Sequence, residues 1–248
     1  MIKALSSCAL ACAAQFFNGH ALAQSAKVDP QADSILRAAT TYLAGLKSFS
    51  VRTENTLEVV TTDGQKIQFS SPASVVIVRP NKLFAERNGD IVNQAFYYDG
   101  KTLTLYSPEG KFYATVPAPA TLDETLDFAR DDLDVFAPGA DLIDTRAYSR
   151  LTQDVISGQY LGIAVVNGQR CHHLAYRATE VDWQLWVREG DKPIPCRYVI
   201  TSKRITGAPQ YSLQIREWDN SPKDLQGKFD FVAPAGAKAI KFLPVTTP

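Results

Sequence analysis

Closely spaced turns dictate most of what this chain can become. Asp63-Gly64, Pro80-Asn81, Asn88-Gly89, Asp99-Gly100 and Glu109-Gly110 cut the first half into short apolar segments. Each X-Gly pair tolerates the positive φ of a tight hairpin, so the pattern predicts strands over 49–61, 65–79, 82–87, 91–98, 101–106 and 111–116. Asn167-Gly168 repeats the signal further on, between strands expected over 161–166 and 170–178 and followed by 181–188 and 194–205. Residues 210–218 supply another strand, and Phe229-Asp230-Phe231 with Ile240-Lys241-Phe242 closes the fold.

Two stretches break the pattern. Asp29 can cap a helix with Pro30 in its first turn, after which Ile35, Leu36, Ala39, Tyr42, Leu43 and Leu46 recur at helical spacing. Thr121-Leu122-Asp123-Glu124 is a capping box, with Leu122, Leu126, Ala129, Leu133 and Phe136 on one face; a shorter helical piece follows over 140–151. A sheet of about ten or more strands must twist, curl or close. Two or three helices are too few to cover both of its faces. The predicted class is therefore mainly β with α: a large curled antiparallel sheet, or half-barrel, with two or three helices covering its concave side.

The ends bound the setting. Lys3, the apolar residues 4–17 and Ala21-Leu22-Ala23 have the layout of a cleavable secretory leader over residues 1–23. Residues 24–248 then form one domain with a single net negative charge, which argues against a nucleic-acid partner. No later apolar run is long enough to span a membrane.

Cys171 and Cys196 remain after such a cut, in an oxidising compartment where thiols usually pair. In a flat meander they would lie two strands apart, about 9 to 10 Å, beyond the reach of a disulfide. A bridge therefore requires the middle strand to end early, as the chain bends through Pro193 and Pro195; the alternative is two free buried thiols. Neither a metal site nor a cofactor is expected, since adjacent strand residues such as His172 and His173 face opposite ways. Nucleophile elbows, phosphate loops and dinucleotide fingerprints are absent from the sequence. His173 with Asp182 could form a base and its orienter, which leaves a hydrolase as one reading. Aromatic residues on the strands are the better lead. Tyr98, Tyr106, Tyr113, Tyr176, Trp183 and Trp186 are the candidates to line a cavity for a hydrophobic ligand, against the alternative that they fill a solid core.

Cys171-His172-His173-Leu174-Ala175-Tyr176-Arg177, followed by Val181-Asp182-Trp183-Gln184-Leu185-Trp186-Val187, resembles a family of predicted periplasmic proteins of unknown function. Residues 98–106, Gly207-Ala208-Pro209-Gln210-Tyr211 and the Phe229-Asp230-Phe231 ending carry the same resemblance over nearly all of the chain after the leader. It implies a fold similar to the lipoprotein-localisation carriers (LolA/LolB-like), with no catalytic residue to carry over. The function expected is a periplasmic, non-catalytic binding protein for a hydrophobic or acylated ligand, as carrier or sensor of a lipid or lipoprotein. The alternative is an envelope module that binds another protein and no lipid.

Overall fold

The computed structural model describes residues 28–242, so the leader expected over residues 1–23 lies outside the described residues. Helix α1 (Pro30–Gly45) starts as expected: the Asp29 carboxylate accepts the Gln31 N–H at 2.7 Å, with Pro30 in the first turn. The first half of the sheet follows as β1 (Ser48–Val60), β2 (Lys66–Ser70), β3 (Ala73–Val78), β4 (Lys82–Asn88), β5 (Asn93–Tyr98), β6 (Thr102–Ser107) and β7 (Phe112–Pro117). Helix α2 (Leu122–Asp131) and the short α3 (Ala147–Thr152) interrupt it, separated by a single 3-10 turn at Ala140–Leu142. Strands β8 (Val155–Val166), β9 (Gln169–Ala178), β10 (Val181–Arg188), β11 (Pro195–Ser202), β12 (Gln210–Asp219) and β13 (Lys238–Ala239) complete the chain.

All of these strands join one sheet, in the order β13-β7-β6-β5-β4-β3-β1-β12-β11-β10-β9-β8, with β2 paired to β1 off that path. Every pairing is antiparallel except β13 on β7. The order is an open path rather than a ring, the half-barrel the turn pattern predicted. Within it β1 joins the two meanders: β3 binds its first half, β2 its second, and β12 runs along its other edge.

Four segments differ from expectation. Helix α2 ends at Asp131, short of Leu133 and Phe136 and of the end expected near Pro138-Gly139, and the piece expected over 140–151 divides into the 3-10 turn and α3. Residues 65–79 form two strands rather than one, because Pro72 has no N–H to donate to the ladder and the chain turns there. Strand β8 begins six residues before the expected start, at Val155, and Gly158 inside it hid that start. A Cβ at Gly158 would meet the Tyr176 ring at 2.5 Å, so the glycine permits a close approach of ring to backbone. Neither closing segment, 229–231 nor 240–242, forms a strand; the two-residue β13 lies just before the second.

The helices share one side of the sheet. Ala32, Leu36 and Ala39 of α1 pack on Leu174, Tyr176, Trp183, Leu185, Val187 and Tyr198 of β9 to β11 in one buried core. Leu122 and Leu126 of α2 meet Phe49, Ile77, Leu83, Tyr98 and Leu103. Alternation sends Val76, Phe84 and Ala95 to the outer side, where Phe229 and Leu225 of the segment after β12 cover them. Phe231 continues that cover over Tyr97, Tyr106 and Tyr113, at ring distances of 5.3, 5.5 and 5.0 Å.

Cys171 and Cys196 are bridged, with Cα atoms 6.8 Å apart. Strand β10 does end level with the first cysteine, since Cys171 pairs with Arg188, its last residue. A bulge contributes as well: Trp186 pairs with Arg197 and Val187 with Pro195, which leaves Cys196 as the extra residue of β11. The bridge lies on the outer side, beside Trp186 and Val199.

Candidate functional site

Between α2 and the middle of the sheet lies a cavity of about 650 Å³, within the range of small-molecule sites. Its floor is built by alternation. Phe49, Val51, Thr53, Asn55 and Leu57 of β1 point to the helix side, opposite Trp218, Ile215, Leu213 and Tyr211 of β12. Val75 of β3 and Leu83 of β4 extend this surface. The roof is Leu126 and Ala129 of α2 together with the stretch from Val135 to Ile143.

The space stays open for two reasons. Ala73, Ala85 and Ala129 are the side chains where larger ones would meet. Helix α2 also stops at Asp131, and residues 132–139 cross the sheet without the side-chain cover a helix would bring, turning at Asp134 with φ 52°. The crossing is close: a Cβ on Gly139 would approach Leu213 Cδ1 to 2.9 Å. At the rim, Phe136 and Ile91 are exposed, at 60% and 54%.

One end of the cavity is polar. Thr53, Ala73, Arg87 and Gln94 occupy one row across β1, β3, β4 and β5, and Asn55 lies two residues further along β1. Arg87 donates through Nη2 to Gln94 Oε1 at 2.7 Å and through Nη1 to the Phe136 carbonyl at 3.4 Å. Its Nε is buried without a partner, as is Asn55 Oδ1. Burial pulls the Arg87 guanidinium down from its usual range. Burial pushes the Tyr211 hydroxyl up to about 12, against the opposing pull of the Arg87 charge nearby.

Charge adds to packing in fastening the roof. Asp144 accepts from Arg146 Nη2 at 2.8 Å and from Arg150 Nε at 2.7 Å, and both arginines also reach Asp127 of α2. Arg79, just after the end of β3, donates to the Ile143 carbonyl at 2.6 Å and stands 3.8 Å from Asp123. Helix α2, the 3-10 turn and α3 are thereby tied to one another and to the sheet.

The six aromatic residues singled out from the sequence lie elsewhere, and none lines this cavity. Tyr98 is wholly buried and donates to the Pro119 carbonyl at 2.6 Å, just before α2. Tyr176 and Trp183 stack at 4.1 Å beneath α1. Trp186 stacks on His173 at 4.0 Å on the outer side, and Tyr106 and Tyr113 face Phe231. The cavity's aromatics are instead Phe49, Phe69, Phe96, Phe136, Tyr211 and Trp218. A usable signal was the alternation Leu83, Ala85, Arg87 in β4, which sets a small residue and a cation on an otherwise apolar face.

His173 and Asp182 do not form a dyad. His173 pairs across to Trp186 and Asp182 to Arg177, a separation of four residues or about 13 Å along the strands. The His173 ring bonds Gln184 Oε1 at 2.9 Å, and Asp182 pairs with Lys203 at 3.4 Å. Among the described residues no helix is long and apolar enough to cross a membrane.

A family model described as "Predicted periplasmic protein (DUF2092)" matches residues 32–243. Among solved structures, an uncharacterised conserved protein from Thermus thermophilus aligns with a TM-score of 0.50 at 11% identity, over 85% of this chain and 99% of that one. LprF from Mycobacterium bovis aligns with a TM-score of 0.49 at 15% identity, over 86% of this chain and 100% of that one. A LolA superfamily protein from Nitrosomonas europaea has a TM-score of 0.38 at 14% identity, over 81% and 97% of the two chains. The first of these likenesses is one of fold alone. No curated protein matches the chain.

Proposed function

The chain belongs to the DUF2092 family of predicted periplasmic proteins, and we propose that it is an exported, non-catalytic binding protein for a hydrophobic or acylated ligand, acting as carrier or sensor of a lipid or lipoprotein. The cavity under α2 is the observation that carries this reading: a mostly apolar space of about 650 Å³ with an exposed mouth at Phe136 and Ile91. Burial of an acyl chain contributes about 0.8 kcal/mol per methylene, so ten methylenes amount to roughly 8 kcal/mol before the cost of association. Entry and release require residues 132–139 to shift.

Purification without detergent, extraction and mass spectrometry test the proposal, together with uptake of a fluorescent fatty acid. A protein that arrives empty and takes up no probe defeats it. Export by cleavage after Ala23 is part of the same reading, and a mature N-terminus at Gln24 is its expected product.

A second reading, an envelope module that binds another protein and no lipid, has one observation in its favour. Strand β8 is a sheet edge on which Leu161, Ile163 and Val165 are exposed at 52%, 38% and 70%, a surface suited to strand addition. Capture of one stoichiometric protein from envelope extract by a lipid-free sample supports it, and loss of that capture in Val165→Lys places the contact.

A further inference from the structure

A cavity that held only hydrocarbon would gain nothing from a guanidinium in its wall. Arg87 costs desolvation there, and no carboxylate among the described residues repays it: its partners are an amide oxygen and a backbone carbonyl, and Nε has none. Ion pairs hold the other cation of the lining, Arg130, whose guanidinium meets Asp127 and Asp131 at 2.7 and 2.9 Å. Space for a head group adjoins Arg87: Ala73 leaves a gap between Thr53 and Arg87 in their shared row. Glu86, the adjacent acid, also borders the cavity, although its place in β4, opposite Ala95, alternates with that of Arg87.

We propose that Arg87 anchors the anionic head, carboxylate or phosphate, of a single-chain amphiphile whose tail fills the cavity beneath α2. This deepens the reading above and rests on it. The geometry sorts the two ends of such a guest. Leu83, Val51 and Phe49 lie toward the α2 end of the floor, facing Leu126 and Ala129 with Thr125 beside them. Arg87 lies at the opposite end of β4, beside the residue at the rim, Phe136, whose carbonyl it touches. A planar guanidinium offers paired N–H donors to two oxygens of one anion, and such charge-assisted bonds exceed those to neutral oxygens by about two-fold. An anionic head would take the place of the long bond to the Phe136 carbonyl, so loading the cavity and freeing the roof become one event.

The test is displacement of a neutral environment-sensitive dye from the purified protein by dodecanoate, dodecyl phosphate, dodecanol and inorganic phosphate. Dodecanoate or dodecyl phosphate is expected to displace the dye at concentrations about ten-fold below dodecanol. Arg87→Met is expected to abolish that gap while leaving dodecanol unchanged, and Arg87→Lys to restore part of it. Equal potency of the anions and the alcohol on the wild-type protein overturns the assignment. So does an Arg87→Met variant weakened toward all three chains alike, which would mark Arg87 as a latch for the roof. Inorganic phosphate binding as tightly as dodecyl phosphate would reassign the site to a free anion. Failure of every chain to displace the dye removes the cavity reading itself, an outcome distinct from the others.

Discussion

The Asp144 carboxylate, with only 2% of its side chain exposed, accepts the Arg150 Nε at 2.7 Å. Burial raises its pKa, but hydrogen bonds from Arg146 and Arg150 outweigh that and hold the carboxyl below the usual range. A carboxyl held down in the folded state contributes stability that is complete above its unfolded value, about 4, and is lost as pH falls through the folded value. Asp144→Asn leaves Arg150 without this partner and is expected to cost roughly 3 kcal/mol at neutral pH. Urea unfolding of both proteins from pH 7 downward checks this, and the gap between them should narrow below about pH 4.

Ala85 lies on the cavity floor in β4. Ala85→Trp places an indole in the space a guest would occupy, so uptake of a fluorescent fatty acid should fall by about ten-fold or more. Because the side chain enters a void rather than a packed core, the unfolding midpoint should change by less than about 4 °C. Equal uptake by the two proteins would place the guest elsewhere.

The disulfide closes a loop of sequence separation 25 on the side of the sheet away from the cavity. Replacing Cys171 and Cys196 together by serine should lower stability by about 3.5 kcal/mol in the chain-entropy account. Ligand affinity, measured below the unfolding transition, should stay within about two-fold.

Phe231 covers three tyrosine rings on the outer side, Tyr97, Tyr106 and Tyr113. Phe231→Ala should cost about 2 to 3 kcal/mol, somewhat less than a fully buried phenylalanine, with uptake unchanged. A loss of uptake at full folding would link this face to the site.

Much of the fold was legible because turns are local. The X-Gly pairs mark hairpins whatever lies around them, and the capping box at Thr121 opens α2 where expected. The site was less legible, for a reason visible in Tyr97 and Tyr98. Alternation assigns these neighbours to opposite sides of β5 but does not say which side faces a void, since both bury aromatic rings. The irregular segment carrying Phe229 and Phe231 covers one side and α2 the other, and the cavity lies under α2. Which rings meet Phe231 depends on a contact across more than a hundred residues, and no local pattern encodes that. Arg87 was missed because a cation near a strand end reads as solvent-exposed until the roof over it is known.

The half of the sheet under α1 is filled by Trp183, Tyr176 and Leu185, whereas the half under α2 combines the core around Leu122 with the cavity. Shape change is thereby confined to one end of a continuous ribbon. On the proposed function, guests of different bulk would be accommodated by rocking a short roof held at its margins, while the strands beneath keep their register. Substitutions that alter guest size should then gather in the roof and the alanines facing it, and leave the α1 half untouched.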